Sequence, residues 1–439
     1  MSDKILRIRE YDTIICNEDY KTEYKYLPQN LFDNVEQFIR EYTSSESGAD
    51  ALDFLKIGYR KGVGRTISVN NYVGLIEVNG RQSIEVLPKI DFAEKFLSDE
   101  DREEETKRVF IRMLKTMKDF PGKSFNMAKL NVSRMNLYEI FINMYVQEVY
   151  RLVKHGIKSS YVNQNNNLNY FKGKLDITNH IKNNLVHKER FYMSYDEYLV
   201  DRPENRIVKT TLEILLKKSN SFENQREINK LLNSFELVNS SINYQRDLSK
   251  ITIDRTTEEY RMLIEWSKIF LFNKSFTSFS GNNLSRAILF PMEKVYESYV
   301  AKYMKKIFGT SGWKVSTQDR GYYLFDTPKK FALRPDIVIS NDSKTVVLDT
   351  KWKRLVPDLQ LNYGISQSDM YQMYAYSNKY SSKNNDKPSQ VFLLYPQTFE
   401  MKKRDDIRFT SEDGVDVCVF FVDVANIEES LKLLLSLCE

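Results

Sequence analysis

Two aspartates and a lysine lie close together in the last third of the sequence, on either side of a short polar turn. Asp336 follows a proline, and one residue separates Asp349 from Lys351. Apolar, β-branched arms on both sides of residues 341–344 predict a β-hairpin. If that turn closes the hairpin, Asp336 and Asp349 face each other across its two strands, with Cβ atoms roughly 4.5–5.5 Å apart.

Two carboxylates at that distance repel each other unless a positive charge lies between them. Mg²⁺ fits this gap because it prefers carboxylate and phosphate oxygens, and Mn²⁺ can replace it. Lys351 shares a strand face with Asp349, where its ammonium can orient a water or stabilise charge on a phosphate in the transition state. The set predicts phosphodiester hydrolysis. The alternative is that both aspartates are solvent-facing strand ends with Lys351 as an ion-pair partner.

Two predicted helices near the hairpin carry further polar candidates. Gln372 and Tyr376 are four residues apart and share one helix face. They are predicted to contact the attacking water or the DNA backbone, although Tyr376 also fits an aromatic core face. Glu297 lies among apolar neighbours, where a carboxylate is costly without a partner. We expect Glu297 to be a third metal-site carboxylate, with Glu293, one turn earlier, as the competing choice.

Together these residues resemble the PD-(D/E)xK nuclease superfamily, and Gln372 with Tyr376 is similar to the element of its RecB-type branch. Further segments, in the same order along the chain, resemble McrC proteins, the nuclease subunits of the McrBC modified-cytosine restriction system. These segments are residues 73–78, 84–90, 171–175, 205–209 and 292–297. The resemblance therefore extends over most of the chain.

The resemblance implies a division of labour between two proteins. A McrB-like AAA+ GTPase hexamer binds GTP, recognises double-stranded DNA with modified cytosine and drives translocation. The McrC subunit docks on the ring through its N-terminal and middle regions, stimulates GTP hydrolysis and cuts DNA. The sequence fits this division because residues 58–66, the nearest candidate, lack the G-xxxx-G-K-[ST] spacing of a phosphate-binding loop.

Composition excludes several other classes of protein. The 439 residues have a net charge of +5, with 41% hydrophobic and 28% charged residues, so a mainly disordered chain is excluded and charge alone does not indicate nucleic-acid binding. The 3 cysteines and 3 histidines are too few and too scattered for a disulfide framework, a cysteine-rich zinc site or a four-cysteine iron–sulfur cluster. Without a signal peptide or a run of about 18 apolar residues, we expect a cytoplasmic protein with no membrane contact.

The chain is predicted to contain three parts. Residues 1–97 form a β-rich N-terminal domain for partner docking, with a hairpin around Asn79-Gly80, a short helix at 51–57 and a basic glycine-containing loop at 58–66. The acidic run at 98–106 is expected to be a solvated loop that leads into a helix at a domain boundary.

Residues 107–275 are predicted to be mainly helical, with an irregular or hairpin-like projection at about 159–200. The projection carries Lys172, Lys174, Lys188 and Arg190 among aromatic residues. It is the candidate for the segment that enters the ring, and an ordinary exposed insertion is the alternative. Residues 284–439 are predicted to form an α/β PD-(D/E)xK nuclease domain, a mixed sheet flanked by helices. Helices are predicted at 137–152, 201–218, 223–237, 258–272, 291–307, 369–380 and 427–437, and C-terminal strands at 391–395 and 416–422.

Three functions remain open from the sequence. The first is the nuclease subunit of a GTP-driven, modification-dependent restriction complex. The second is a stand-alone PD-(D/E)xK nuclease of DNA repair or recombination, and the third is a non-catalytic regulator of an AAA+ partner. An adjacent reading frame for an AAA+ GTPase favours the first over the second. Cleavage of methylated DNA with partner, GTP and Mg²⁺ separates the first from the third.

Overall fold

The computed structural model divides the chain into two compact units. One unit combines Met1–Leu137 with Ser275–Glu439, and the other is Tyr138–Lys274. The structure describes residues 4–43, 55–77, 82–90, 92, 98–118, 120, 135–272, 287–342, 344–381, 390–401 and 407–438. Among these residues, no helix combines the length and the apolar character needed to cross a bilayer.

The N-terminal part is built mainly from strands. Its elements are β1 (Lys4–Arg9), β2 (Thr13–Ile15), β3 (Lys25–Tyr26), α1 (Gln29–Thr43), β4 (Leu55–Arg60), β5 (Gly64–Val69), β6 (Tyr72–Glu77), β7 (Gln82–Leu87) and α2 (Asp99–Leu114). One sheet has the order β3-β2-β5-β4. Phe32, Val35 and Ile39 recur at helical spacing on α1 and are buried in a core with Ile14 and Ile67 of this sheet.

Strands β6 and β7 pair in the antiparallel direction, as predicted for the first hairpin. The predicted turn residues, Asn79-Gly80, lie outside the described residues. The helix expected at 51–57 is wrong in its described part, because residues 55–57 begin strand β4. Leu55 and Ile57 pair with Val69 and Ile67, and this cross-strand pairing outweighs local helix preference. The loop expected at 58–66 is confirmed only at residues 61–63, which form the turn between the strands, because β4 and β5 take up the rest.

The acidic run at 98–106 forms the first turns of α2, so the expected loop is wrong. Ser98 is the N-cap, and its Oγ accepts a hydrogen bond from the backbone N of Asp101 at 3.1 Å. Acidic side chains are favourable near a helix N-terminus because they face the positive end of the helix dipole. The run therefore starts the helix and does not precede it.

The middle unit contains most of the remaining helices. Its elements are α3 (Leu137–His155), β8 (Ser160–Leu168), β9 (Lys174–Leu175), α4 (Ile177–Asn184), β10 (Phe191–Leu199), α5 (Pro203–Lys218), α6 (Phe222–Asn233), α7 (Tyr244–Lys250) and α8 (Tyr260–Phe272). The four helices predicted here are confirmed, and α4 and α7 add two that the periodicity did not indicate. Gly156, with φ +93°, follows α3 as the expected C-cap.

Residues 159–200 contain a regular antiparallel sheet in the order β8-β10-β9. The pairing of β8 with β10 runs from Ser160 opposite Leu199 to Leu168 opposite Phe191. The asparagine-rich run is a regular strand because its amides bond across the sheet, as where Asn163 Nδ2 donates to Asp196 Oδ1 at 3.0 Å. Residues 160–199, which contain this three-stranded sheet, α4 and their connections, are called the middle sheet below.

The C-terminal part contains a second mixed sheet. Its elements are β11 (Ala287–Pro291), α9 (Met292–Thr310), β12 (Lys314–Thr317), β13 (Tyr323–Asp326), β14 (Lys329–Ala332), β15 (Ile337–Ser340), β16 (Thr345–Thr350), α10 (Gln367–Ser381), β17 (Gln390–Pro396), β18 (Arg408–Thr410), β19 (Asp416–Val422) and α11 (Ile427–Cys438). The sheet order is β12-β15-β16-β17-β19-β18, in which β16, β17 and β19 are parallel neighbours. The predicted α/β architecture, with a mixed sheet flanked by helices, is confirmed.

Helix α10 covers one face of this sheet. Its Met373 and Tyr376 are buried with Val347, Leu393 and Val419. Because side chains alternate along a strand, Asp349 lies on the same face of β16 as Val347. The opposite face is left for α9 and α11, which are joined by the ion pair of Lys306 Nζ with Glu428 Oε1 at 2.6 Å. Tyr299 Oη of α9 also donates to Val424 O, in the segment between β19 and α11, at 3.1 Å.

The C-terminal domain was expected to begin at residue 284 with no strand before its first helix, but residues 287–291 form β11, which belongs to the N-terminal sheet of order β1-β7-β6-β11. Leu289 of β11 pairs with Gly74 of β6. Gly74 has φ +143°, and a Cβ there would lie 2.0 Å from Ile288 O, so only glycine permits this approach. At Met292 the chain passes directly from β11 into α9. Pro291 was expected to be the first helical residue, but it is the N-cap, so the helix begins one position later.

Candidate active site

The hairpin of β15 and β16 has the predicted register. Ile337 lies opposite Leu348, and Asn341 N donates to Lys344 O at 3.0 Å between the ends of the two strands. Asp336 directly precedes Ile337, and Asp349 directly follows Leu348. The two aspartates therefore occupy the next position of the same ladder, at the end of the hairpin away from the turn.

Asp336 is fixed by the residue that separates Asp349 from Lys351. Thr350 donates to Asp336 Oδ2 through its backbone N at 2.8 Å and through its Oγ1 at 2.6 Å. Among the residues described, the other oxygen, Oδ1, has only a long contact with Gln318 Nε2, at 3.5 Å. One carboxylate oxygen is thus used for positioning, and the other remains available.

Asp349 is almost completely buried, with 2% of its surface exposed. Its Oδ2 accepts no aligned hydrogen bond, and Lys351 Nζ lies 2.7 Å away as an ion pair. Burial, and after it the charge of Asp336, raises the pKa of Asp349 to about 7. A buried carboxylate beside a second carboxylate is costly by itself, so this pair needs more positive charge than Lys351 alone provides.

The Lys351 ammonium lies among three oxygen atoms. Besides Asp349, its Nζ is 3.2 Å from Gln372 Oε1 and 3.6 Å from Asp369 Oδ1. Burial by itself would lower the pKa of Lys351, but the charge of Asp349 outweighs it and the pKa is raised. The backbone N of Lys351 donates to Leu394 O at 2.9 Å, which continues the pairing with β17 past the end of β16. The amine is held charged in a defined position.

The structure brings Gln372 and Tyr376 to this site on α10, the helix predicted to carry them. Gln372 accepts from Lys351, and its Nε2 donates to Tyr376 Oη at 2.7 Å. Tyr376 is buried in the core as well, which confirms the aromatic core face, whereas its contact with water or the DNA backbone stays a prediction. Burial, and after it the charge of Asp349, raises the pKa of Tyr376 to about 12. Tyr376 thus stays protonated and holds the amide of Gln372.

Asp369 belongs to the site, although the sequence pattern did not single it out. It lies in the first turn of α10, and its carboxylate binds Lys353 at 3.1 Å as well as Lys351. Burial acts to raise the pKa of Asp369, but hydrogen bonds from Ser366 and Lys353 outweigh it and the pKa is lowered. Its position three residues before Gln372, on the same helix face, was the available signal.

Glu297 lies on α9 and faces the Asp336 side of the site. Its Oε1 accepts from Gln318 Nε2 at 2.5 Å, and the same amide nitrogen makes the long contact with Asp336. Burial, and after it the charge of Asp336, raises the pKa of Glu297. Gln318 has φ +52°, and its backbone N donates to Asp336 O at 2.9 Å. Glu293 is exposed to solvent. The sequence pattern gave no indication of Gln318.

The donor set fits a hard divalent cation. Within the described ranges, no three acidic, histidine or cysteine side chains converge closely enough to hold a metal. Asp336 and Asp349 nevertheless offer two carboxylates, one with a buried oxygen that lacks an aligned donor. Mg²⁺ is commonly bound by one or two carboxylates together with substrate phosphates. Glu297 is separated from the pair by the Gln318 amide, so its use as a ligand requires that amide to move.

Comparison with known proteins identifies relatives over most of the chain. A family described as McrBC 5-methylcytosine restriction system component matches residues 67–396. A Thermococcus gammatolerans structure, a refined half-complex from a tetradecameric assembly of McrB AAA+ hexamers with bound McrC, has a TM-score of 0.67 at 18% identity, covering 98% of this chain and 100% of that chain. A cryo-EM structure of the Thermococcus gammatolerans McrBC complex has a TM-score of 0.49 at 18% identity, covering 70% and 88%. At such identities the likeness concerns the fold. A search of curated proteins finds no significant match.

Proposed function

The chain belongs to the family of McrBC 5-methylcytosine restriction system components, and from this premise we propose that it is the DNA-cutting subunit of a modified-cytosine-dependent restriction complex. The C-terminal sheet and its helices act as a PD-(D/E)xK nuclease domain that hydrolyses DNA phosphodiesters with Mg²⁺ or Mn²⁺. The observation that carries the proposal is the buried Asp349, which lies beside Asp336 and 2.7 Å from the Lys351 ammonium.

Each residue of the site has a role in this proposal. Asp336 and Asp349 hold the metal, and Glu297 serves as a further carboxylate. When bound, the metal neutralises phosphate charge and polarises the scissile phosphate. Lys351 orients the attacking water and stabilises the negative charge that develops on the phosphate. Gln372 fixes the ammonium, and Tyr376 fixes Gln372.

The partner proposed for this chain is a McrB-like AAA+ GTPase hexamer, which binds the GTP and recognises the modified DNA. The solved relative with the higher TM-score is McrC bound to McrB AAA+ hexamers. The middle sheet supports such docking, because it exposes large apolar side chains that a free surface seldom carries in one place. These are Tyr161, Tyr170, Phe171, Ile177, Ile181, Leu185, Val186 and Tyr198. The rings of Tyr161 and Tyr198 lie 5.0 Å apart, and Lys172 is held over the Tyr195 ring by Glu197.

A cleavage assay tests the proposal. Methylated and unmethylated plasmids are incubated with the full chain and Mg²⁺, with and without GTP and the AAA+ GTPase encoded next to it. We expect cutting only of methylated DNA and only with both GTP and partner. Cutting by the chain alone would identify a stand-alone nuclease. Stimulated GTP hydrolysis without any cutting, in Mg²⁺ or Mn²⁺, would identify a regulator and refute the nuclease assignment.

A further inference from the structure

Strands β13 and β14 form a small sheet of their own directly before Asp336. They pair only with each other, with Tyr323 opposite Ala332 and Asp326 opposite Lys329. Most of their side chains are exposed, so the pair adds little to the hydrophobic core. Residues 320–334, which contain both strands, are called the basic hairpin below.

The basic hairpin carries cations without partners. Arg320, Lys329, Lys330 and Arg334 are all exposed, and none of them forms an ion pair with another residue that the structure describes. The acid of the hairpin, Asp326, is already bound by Lys379 at 2.8 Å. Unpaired basic side chains on one exposed element are the electrostatic signature of a phosphate-binding surface.

Two phenylalanines lie between these cations. Phe325 is 56% exposed and Phe331 is 72% exposed, and their rings meet edge to face with centroids 5.9 Å apart. Phe325 is also the cross-strand partner of Lys330. Exposed rings flanked by unpaired cations match the chemistry of a nucleic-acid surface, where cations bind phosphates and rings press against bases.

The basic hairpin contacts α10, the helix that carries Gln372 of the proposed active site. The ring of Tyr322 lies 4.3 Å from that of Tyr380 on α10, and the Lys379–Asp326 ion pair makes a second connection. Leu333 N donates to Tyr322 O at 2.9 Å, which closes the base of the hairpin. The same α10 carries Gln372, and Asp336 follows two residues after Arg334. A ligand held by the hairpin is thus held beside the active site.

We propose that the basic hairpin binds double-stranded DNA next to the phosphate that is cut. Its cations bind backbone phosphates on the flank of the scissile bond, and the phenylalanine pair inserts against the bases in the groove. The inference rests on the proposed nuclease function, since it states how that site holds its substrate. The contacts of the cations are independent of base sequence, because backbone phosphates carry no sequence information.

The test measures DNA binding by the full chain without cleavage. Fluorescence anisotropy with a labelled duplex, in EDTA and over a series of salt concentrations, compares wild type with the double variant Lys329→Ala/Lys330→Ala. We expect the Kd to rise about tenfold and the slope of log affinity against log salt to fall by about 2, roughly one unit per lost phosphate contact. Phe325→Ser/Phe331→Ser should weaken binding without changing the slope. Lys302→Ala/Lys432→Ala, on exposed positions of α9 and α11, is the matched control and should behave as wild type.

The outcomes separate this inference from the function on which it rests. Unchanged affinity and salt slope in Lys329→Ala/Lys330→Ala overturn the inference, even if wild type cuts DNA. An equal loss of DNA affinity in the control variant Lys302→Ala/Lys432→Ala overturns the inference as well, and so does a wild-type chain that binds no DNA. A loss of GTPase-partner binding with unchanged DNA binding would assign the hairpin to a protein interface instead. If the hairpin variants lose DNA affinity as expected but wild type never cuts, the nuclease proposal fails and the DNA-binding role stands.

Discussion

Thr350 donates two hydrogen bonds to the same oxygen of Asp336, from its backbone N at 2.8 Å and from its Oγ1 at 2.6 Å. Both bonds cross the end of the hairpin, so the residue between Asp349 and Lys351 orients the opposite acid. The carboxylate of Asp336 is thereby turned with Oδ1 toward Gln318 and Oδ2 toward the strand. The middle position of the D-x-K pattern has a geometric role that the pattern does not reveal.

Thr350→Val should weaken metal binding and slow cleavage while the fold is retained. Valine has the same shape but lacks the hydroxyl. Because a hydrogen bond to a charged group contributes about 1.5–3 kcal/mol, we expect metal affinity and cleavage rate to fall by roughly 10- to 100-fold. Mn²⁺ titration calorimetry and the Mg²⁺ dependence of cleavage measure the two effects. Thr350→Ser restores the hydroxyl and should recover most of both. Full activity in Thr350→Val would show that the backbone bond alone positions Asp336.

Asp349→Ala should abolish cleavage and leave partner binding and GTPase stimulation intact, because the side-chain contact that the described part of the chain shows for Asp349 is with Lys351 of the proposed nuclease site. Asp349→Asn should also raise the melting temperature in metal-free buffer. The uncharged amide removes the repulsion from Asp336, and a gain of about 1 kcal/mol in a chain of 439 residues raises Tm by roughly 1 °C. Calorimetry with EDTA measures the shift. Wild-type cutting by pure Asp349→Ala protein would refute the site assignment.

Glu297→Gln should weaken Mn²⁺ binding, whereas Glu293→Gln should not. Glu297 has Asp336 in its electrostatic surroundings, and Glu293 is exposed one turn away on the same helix. The two substitutions are chemically identical, so each serves as the control for the other. Isothermal titration with Mn²⁺ and cleavage rates at several Mg²⁺ concentrations provide the measurements. The reverse order of effects would assign the third carboxylate to Glu293.

Leu185→Ser/Val186→Ser should reduce stimulation of the partner GTPase. Both side chains are exposed on the middle sheet, at 74% and 83%. Replacing them therefore changes the stability of the free chain little. In a complex, the same replacement removes apolar contacts with the partner and weakens docking. Leu237→Ser/Ile242→Ser changes two equally exposed side chains of the same unit outside the middle sheet and is the matched control. A larger change replaces residues 163–196 by a short turn, since Val162 and Glu197 are paired and can be joined. Undiminished GTP hydrolysis with either change would exclude the docking role.

Glu10→Gln should remove a pH dependence of stability. Glu10 is fully buried, its Oε1 accepts from Lys89 N at 2.7 Å, and both its oxygens lie 2.9 Å from Trp352 Nε1. Burial raises the pKa of Glu10 from 4.5 to about 7. A raised pKa means that the folded state holds the proton better, so this stabilisation is complete below pH 4.5 and is lost as pH rises through 7.

The free energy of unfolding that wild type loses through Glu10 between low and high pH is about 3 kcal/mol, at 1.36 kcal/mol for each pKa unit. Urea unfolding measures the free energy of unfolding of wild type and Glu10→Gln at pH 5 and pH 8. At pH 5 the two free energies should be similar, and at pH 8 the free energy of Glu10→Gln should be higher than that of wild type. Glu85→Gln provides the contrast. Glu85 is ion-paired with Arg7, so its variant should be less stable at both pH values. A difference between wild type and Glu10→Gln that is the same at both pH values would contradict the assignment.

The strongest predictions from sequence concern contacts that are close along the chain. The register of β15 with β16 follows from a short turn between two apolar arms, and one count along the strands places Asp336 at the level of Asp349. The spacing of Gln372 and Tyr376 likewise follows from helix geometry. These features depend on residues only a few positions apart, so local pattern is sufficient.

The features that sequence patterns missed depend on distant contacts. Gln318 reaches Glu297 and Asp336 only because three separate elements meet there. Strand β4 is determined by its pairing with β5, which outweighs the helical preference of the preceding residues. Strand β11 pairs with β6 more than two hundred positions earlier in the chain, and no local pattern indicates a partner at that distance.

That last pairing has a consequence for synthesis on the ribosome. The sheet begun by Lys4–Arg9 gains its edge strand only when Ala287–Pro291 has left the exit tunnel. Until then the β6 edge carries unpaired backbone groups, and such edges are liable to pair with other chains. The helices of residues 138–274 emerge during that interval, so we expect the nascent N-terminal part to depend on chaperones until β11 has emerged from the ribosome.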